Sequence, residues 1–119
     1  MNENTIYRIC ARDDWEAART AGAYAGSDLD RRDGFIHCST AEQLRGTLDR
    51  HFAGQDGLVL LEIDAAALGA DLRWEPSRGG AVFPHLYAAL PVSTVVATYD
   101  LPLDATGRHS LPEAVFGPL

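Results

Sequence analysis

A histidine and a serine lie two positions apart in the short apolar segment 34–39, Gly-Phe-Ile-His-Cys-Ser. In an extended strand, His37 and Ser39 project from the same face, while Ile36 and Cys38 project from the opposite face toward the core. A titratable imidazole beside a hydroxyl, at a strand end and just before a helix, is suited to binding a small molecule or a nucleotide. The alternative is a structural histidine that only satisfies buried hydrogen-bonding groups.

A second histidine patch is formed by residues 84–87, Pro-His-Leu-Tyr. If this segment is extended, His85 and Tyr87 share one face. Between the two patches lies the segment 74–80, Trp-Glu-Pro-Ser-Arg-Gly-Gly, which combines an aromatic ring, a carboxylate and a guanidinium with a flexible turn. The two patches therefore predict a cleft that an aromatic, phosphorylated ligand could enter.

Each candidate has a role in such a cleft and a structural alternative. Trp74 could stack a base or a nicotinamide ring, and arginines such as Arg78 and Arg32 could hold phosphates. Glu75, like His37 and Ser39, could bond ribose hydroxyls. In the alternative, Trp74 belongs to the core, Glu75 pairs with a neighbouring arginine, Tyr87 bonds a backbone carbonyl and the arginines are solvated surface groups.

Composition limits the class of protein. The 119 residues are long enough for one domain with a single core, so a single domain over residues 1–119 is expected. The net charge of −7 disfavours extended nucleic-acid contact, and all ten basic residues are arginines. No apolar run approaches the ~18 residues of a membrane span, and no secretion signal is present, which predicts a cytoplasmic protein. The two cysteines predict reduced core thiols, and no metal-ligand spacing is visible.

Strands and helices are predicted in mixed order, which favours an α+β class with a strand-rich single domain. A capping box at Thr40 and Gln43 starts a helix whose apolar face repeats at Leu44 and Leu48. Residues 22–33 are interpreted as a long polar loop, and residues 102–119 as a segment that wraps the surface with one short helix. The predicted strands are residues 5–10, 34–39, 58–63, 71–75, 82–87 and 92–101, and the other helix is residues 12–21, with a turn at 65–68 capped by Asp64.

In this order, the motifs Gly-Phe-Ile-His-Cys-Ser-Thr at 34–40, Gln43, Trp-Glu at 74–75, and Phe-Pro-His-Leu-Tyr at 83–87 with Leu-Pro at 90–91 resemble a known family. It is the bacterial family catalogued as domain of unknown function 952, and the resemblance covers residues 5 to about 100. One departure is Ala88, where glycine is usual. The family is similar in fold to the ADP-ribosyltransferases, so the resemblance implies a curved, split antiparallel β structure, flanked by helices, that holds NAD in a central cleft.

The resemblance also implies roles for individual residues. His37 is the counterpart of a strand histidine that contacts the ribose of NAD, with Ser39 beside it. Glu75 and His85 are the candidates for acid–base work or for stabilising positive charge at the ribose. The predicted ligand-binding residues are Ser39, Gln43, Trp74, Arg78, Tyr87 and Arg32. No cofactor is certain, and NAD is a candidate substrate.

Two other functions remain open from the residues. Two-histidine phosphoesterases carry two His-x-Ser/Thr motifs, of which His37 to Ser39 supplies one, whereas Tyr87 stands in the hydroxyl position of the other. The third hypothesis is a non-catalytic binding module. The expected partner in each case is a small nucleotide-like ligand, with the protein a monomer or a weak homo-oligomer.

Overall fold

Apolar strands and amphipathic helices alternate irregularly along the chain. The structure, a computed structural model, describes residues 4–116 except for the side chains of Arg78 and Phe116. The elements are β1 (Thr5–Ala11), α1 (Arg12–Ala21), β2 (Ala23–Tyr24), α2 (Asp28–Asp33), β3 (Ile36–His37), α3 (Leu44–His51), β4 (Leu58–Asp64), β5 (Leu72–Pro76), β6 (Val82–Leu86), β7 (Leu90–Pro91), β8 (Val95–Asp100) and α4 (Glu113–Phe116). Short 3-10 helices lie at Ala41–Gln43, Ala65–Asp71, Arg78–Gly80 and Val92–Thr94. This is the predicted α+β class.

All strand pairs within residues 4–116 are antiparallel and form three sheets. The order β1-β4-β8 places the most apolar strand, β4, in the centre of one sheet, where both of its faces are covered. The order β3-β6-β5 forms the second sheet, and β2 pairs with β7. The two histidine patches are neighbours in the second sheet, because His37 pairs directly with His85.

Two apolar clusters lie on opposite faces of the β4 sheet. Because side chains alternate along a strand, Leu61 and its alternate neighbours pack with α1, whereas Leu58 and Leu60 pack with α3. Ile36 and Cys38 are buried in the first cluster, as predicted. Consequently His37 and Ser39 face the side of the sheet on which α3 lies.

The two large sheets touch at one point and then separate. Tyr7 of β1 and Ser39 exchange two backbone hydrogen bonds, both of 2.8 Å. In a continuous antiparallel ladder the next hydrogen-bonded pair would be Ile9 with His37. Instead, the His37 N–H donates to the Asp30 carboxylate at 3.0 Å, and Arg8 donates to the His37 carbonyl oxygen at 2.9 Å. Two side chains thus replace strand pairing, and a cleft opens where the ladder stops.

Most predicted elements are confirmed, with boundary shifts. The helix at 12–21 is present with the predicted bounds, and both the capping box of Thr40 and the cap of Asp64 are formed. The long strand 34–39 is wrong in length, because only Ile36–His37 pairs with β6 before the sheets separate. The strand predicted from residue 92 begins at Val95, after a 3-10 turn.

The prediction of a loop over residues 22–33 is wrong. This segment contains β2 and α2, and α2 begins with a capping box between Ser27 and Asp30. The Ser-x-x-Asp pattern is a weaker form of the usual Ser-x-x-Glu signal, and it lies in a glycine-containing, polar segment. The short helix near the C-terminus is present at Glu113–Phe116, and residues 117–119 of the predicted wrapping segment lie outside the described part. No helix within residues 4–116 is long and apolar enough to cross a membrane.

Truncating the centre of β4 tests this architecture. Leu61 is fully buried between the sheet and α1, so Leu61→Ala should lower the free energy of unfolding by about 2–5 kcal/mol. Val96, on the outer face of β8, is 61% exposed, and Val96→Ala should change it by less than about 0.5 kcal/mol. Urea unfolding of both variants measures the difference, and similar losses in the two would contradict the placement of β4 at the centre.

Candidate functional site

The cleft lies where the two large sheets separate, between α2 and α3. It is a cavity of about 440 Å³. Its lining includes residues of β1, α2, β3, α3 and β6, among them Arg8, Arg32, His37, Ser39, Arg50 and His85. The structure therefore brings four of the predicted site residues, His37, Ser39, His85 and Arg32, to one cavity.

A buried carboxylate organises the α2 side of the cleft. Asp30, which is 2% exposed, accepts a hydrogen bond from Arg8 Nη1 at 2.9 Å on Oδ1, and its Oδ2 lies 2.8 Å from Arg8 Nη2 in the same ion pair. Its Oδ2 also accepts from the Ser27 backbone N–H at 2.7 Å, and Arg8 donates to the Tyr24 hydroxyl at 2.9 Å. Burying a charge is expensive unless it is paired and hydrogen-bonded, and both conditions are met for Asp30.

These donors keep Asp30 ionised. Burial by itself would raise the pKa of its carboxyl, but the hydrogen bond of the His37 ring and the charge of Arg8 outweigh burial. The net effect holds the pKa of Asp30 far below its ordinary value. The cleft thus has a permanent negative charge directly behind the His37 ring.

The His37 ring is held between two carboxylates. Its Nδ1 lies 2.6 Å from Asp30 Oδ1, and its Nε2 lies 3.0 Å from Asp33 Oδ2. A carboxylate only accepts hydrogen bonds, so both contacts form together when the ring is the doubly protonated imidazolium. The hydrogen bonds that Arg32 and then His37 donate hold the pKa of Asp33 below its usual range.

The two carboxylates differ in how firmly they are placed. Asp30 is locked by several buried donors, whereas the Asp33 side chain is 30% exposed and is shared with Arg32 at 3.1 Å. Nδ1 of His37 is therefore the structural nitrogen. Nε2 is the nitrogen that a ligand can reach by displacing Asp33.

Ser39 is buried in the cleft wall and belongs to a chain of hydroxyl groups. Thr47 Oγ1 donates to the Gln43 carbonyl oxygen at 3.1 Å and lies 3.1 Å from Ser39 Oγ. Since Thr47 has one hydroxyl hydrogen, Ser39 is the donor in their contact. The remaining capacity of Ser39 is that of an acceptor, which suits a ligand hydroxyl.

His85 has its own carboxylate. Its Nδ1 lies 2.9 Å from Glu75 Oε1, which also accepts from the Tyr87 hydroxyl at 2.6 Å. The hydrogen bonds of Tyr87 and His85 lower the pKa of Glu75. Phe35 stacks on the His85 ring at 4.0 Å, and the centroids of the His37 and His85 rings are 6.0 Å apart. Two imidazoles, each oriented by a carboxylate at Nδ1, thus line one cavity.

Other predicted ligand-binding residues lie away from the lining of this cavity. Gln43 uses both ends of its amide inside the protein, accepting from the Thr40 N–H at 3.0 Å and donating to the Val82 carbonyl oxygen at 2.8 Å. Trp74 is 37% exposed, so the alternative that placed it in the core is wrong. Tyr87 and Phe35 line a second cavity of about 310 Å³. The side chain of Arg78 lies outside the described part of the chain.

Among the site residues that sequence reasoning missed are Asp30 and Arg8. The sequence did contain a signal for Arg8, because a charged residue at the centre of an otherwise apolar strand indicates a buried ion pair. A visible signal for Asp30 was the Ser-x-x-Asp capping pattern. Cys38, between His37 and Ser39, is a buried thiol whose pKa is raised by burial to about 12, so it stays protonated and is unsuited to nucleophilic chemistry.

We expect the contribution of the Asp30 carboxylate to stability to depend on pH. Asp30→Asn should lower the free energy of unfolding at pH 7 by about 3–5 kcal/mol, because it leaves Arg8 without its counter-charge. The folded-state pKa of Asp30 is depressed, so its contribution is complete above the ordinary aspartate pKa of about 4 and is lost as the pH falls below that value. The difference between wild type and variant should therefore shrink in urea unfolding below about pH 4.

Asp13→Asn, an equal charge change on the exposed start of α1, is the matched control. It should leave stability within about 0.5 kcal/mol of wild type at pH 7. A difference between wild type and Asp30→Asn that is the same at pH 3 and pH 7 would contradict the role of the Asp30 charge.

Comparisons with known proteins give a family and a close structural relative. The crystal structure of protein CC0527 from Caulobacter crescentus is 49% identical, has a TM-score of 0.89, and the match covers 94% of this chain and 98% of CC0527. The solution NMR structure of CC0527 is 50% identical over 93% of this chain and 96% of that one, with a TM-score of 0.83. No curated protein matches the chain. The family described as "Protein of unknown function (DUF952)" matches residues 9–98, and the chain therefore belongs to that family.

Proposed function

We propose that the cleft binds NAD or a related nucleotide and that His37 contacts the ligand. The observation that carries the proposal is the fixed orientation of His37, whose Nδ1 is bonded to buried Asp30 while its Nε2 contacts the exposed, exchangeable Asp33. A cavity of about 440 Å³ is within the range of small-molecule sites, roughly 300–1,000 Å³. The split antiparallel β structure around the cleft supports an ADP-ribosyltransferase-like fold as part of the same proposal.

In the proposed complex, a ribose hydroxyl takes the place of the Asp33 carboxylate at His37 Nε2. Ser39 accepts from a second hydroxyl, and Arg32, released from Asp33, contacts one phosphate of the diphosphate. These roles use groups that already line the cavity. They account for a histidine and a serine on one strand face without requiring either to be a nucleophile.

The proposed reaction is transfer of the ADP-ribosyl group, or a related reaction at a phosphorylated ribose. The bond between ribose C1′ and the nicotinamide nitrogen breaks, and its electron pair leaves on nicotinamide. An acceptor hydroxyl or water bonds to C1′ and passes its proton to His85 as general base. Glu75 orients His85 and stabilises the positive charge that this ring then carries.

Two substitutions of His37 separate the ligand nitrogen from the structural nitrogen. An asparagine amide can replace Nδ1 and keep the contact with Asp30, whereas a glutamine amide reaches the position of Nε2. We expect His37→Asn to keep melting within a few degrees of wild type and to lose binding of NAD and ADP-ribose at least tenfold. His37→Gln should instead melt lower, because Asp30 loses its ring donor. Thermal shift and calorimetric titration with NAD, ADP-ribose and nucleoside phosphates measure both effects.

Several results would count against the proposal. Folded wild-type protein that binds none of these nucleotides would leave the histidines as structural groups of a non-catalytic module. The same conclusion would follow if His37→Asn bound the nucleotides as tightly as wild type.

A second candidate function is favoured by one observation. His37 and His85 line one cavity with ring centroids 6.0 Å apart, and each has a carboxylate at Nδ1. Such a pair suits a phosphoesterase acting on a cyclic ribose phosphate. One imidazole would take a proton from the attacking water, the bond from phosphorus to one ribose oxygen would break, and the other imidazolium would protonate that oxygen. Tyr87 weakens this candidate, because its hydroxyl bonds Glu75 instead of completing a second His-x-Ser/Thr motif.

Hydrolysis of a 2′,3′-cyclic nucleotide tests the second candidate. If it holds, wild type turns over the substrate with a bell-shaped pH profile, and His37→Asn and His85→Asn each lower kcat at least a hundredfold. A matched control is Thr106→Ala, whose hydroxyl contacts Asp104 far along the chain from both histidines. Turnover that survives either histidine substitution would exclude the two-histidine mechanism.

A further inference from the structure

The formal charge of the Asp and Arg residues that line the cleft is opposite in sign to the net charge of the whole chain. Against a net charge of −7, the described residues lining the cleft include three arginines and two aspartates. Both aspartates lie on the α2 side, where Asp30 is used by Arg8 and His37, and Asp33 by Arg32 and His37. The α3 side of the cavity has a cation and no lining carboxylate among the residues that the structure describes.

Arg50 is that cation. It lies in the last turn of α3, three residues after Thr47 and therefore on the same face of the helix. Both residues line the cavity with Ser39. Within residues 4–116, the Arg50 guanidinium has no hydrogen bond or ion pair, whereas Arg8, Arg32 and Arg31 each have an aspartate partner. Arg50 lines the cavity beside the Thr47 and Ser39 hydroxyls.

An anion from solution meets different conditions on the two sides. At His37 Nε2 it must displace Asp33, which also pairs with Arg32 through Nε. At Arg50 it displaces only water. A phosphate has the charge and the acceptor oxygens that a guanidinium binds in bidentate fashion.

We propose that Arg50 anchors a phosphate of the ligand on the α3 wall, so that the cleft takes phosphorylated nucleotides in preference to nucleosides. This inference rests on the proposed function, since it assigns the phosphate subsite of the same cleft. Binding begins at Arg50 and brings the ribose beside His37, where it competes with Asp33. Arg50 is thus a specificity-determining residue that distinguishes nucleotides from nucleosides.

Calorimetric titration of wild type, Arg50→Gln and a control tests the assignment. The control is Arg19→Gln, an equal charge change at an exposed arginine of α1 that pairs with Glu16. The probes are NAD, ADP-ribose, adenosine and inorganic pyrophosphate, each at low and high salt. We expect Arg50→Gln to weaken the binding of NAD, ADP-ribose and pyrophosphate about tenfold or more and to reduce the salt dependence of that binding. The affinity for adenosine should be unchanged. Arg19→Gln should match wild type with every probe.

The outcomes separate the two proposals. If Arg50→Gln binds NAD and pyrophosphate as tightly as wild type, the phosphate subsite is wrong and the nucleotide function stands. If wild type binds pyrophosphate through Arg50 but binds neither NAD nor ADP-ribose, the subsite stands and the nucleotide function is wrong. If Arg50→Gln weakens the binding of adenosine as much as that of NAD, Arg50 does not distinguish nucleotides from nucleosides and the inference is overturned.

Discussion

The buried ion pair of Arg8 and Asp30 is the interaction on which the rest of the site depends. Its two side chains occupy the position where β1 and β3 would otherwise continue their ladder, and they satisfy the His37 backbone in place of Ile9. The pair therefore ends one sheet, begins the cleft and fixes the histidine at its edge. Removing one partner of such a pair costs more stability than the pair itself contributes, because the other partner is left as an uncompensated buried charge.

The same pair explains why His37 has one fixed and one exchangeable contact. The Asp30 carboxylate accepts from Arg8 on β1, from His37 on β3 and from the Ser27 N–H at the start of α2, so the imidazole cannot rotate without breaking its hydrogen bond to a buried carboxylate. Asp33 lies six residues after the capping Ser27, at the C-terminal end of α2 and at the surface. Within the described residues its side chain contacts Arg32 and His37. A rigid inner contact with a replaceable outer one is the arrangement expected of a group that must be pre-oriented yet accessible.

His85 is also held in a fixed orientation, but by a different set of residues. Glu75 and Tyr87 lie on the same face of the second sheet as His85, since strand neighbours two apart and residues opposite in register share a face. Phe35 stacks on the ring from the other side. The two histidines are thus oriented by separate carboxylates, Asp30 on α2 and Glu75 on β5, and this allows them opposite roles as acid and base in one cavity.

What the sequence determined by itself is local. The alternation around His37 and His85, the capping box at Thr40 and the apolar run of β4 are short-range patterns, and each predicted its element and the facing of its side chains. The α+β class and the family also followed from patterns along the chain, in their order and spacing.

Only the tertiary structure decided which of these elements meet, and with what charge. Arg8 and Asp30 are 22 positions apart, and nothing in either local pattern indicates that they pair or that their pairing divides the β structure. The Ser27 capping pattern was too weak to reveal α2 in a polar segment, so the carboxylates behind His37 could not be placed. The physical reason is that the pairing of buried charges depends on the desolvation that the fold imposes, a property of the packed chain and not of any short segment.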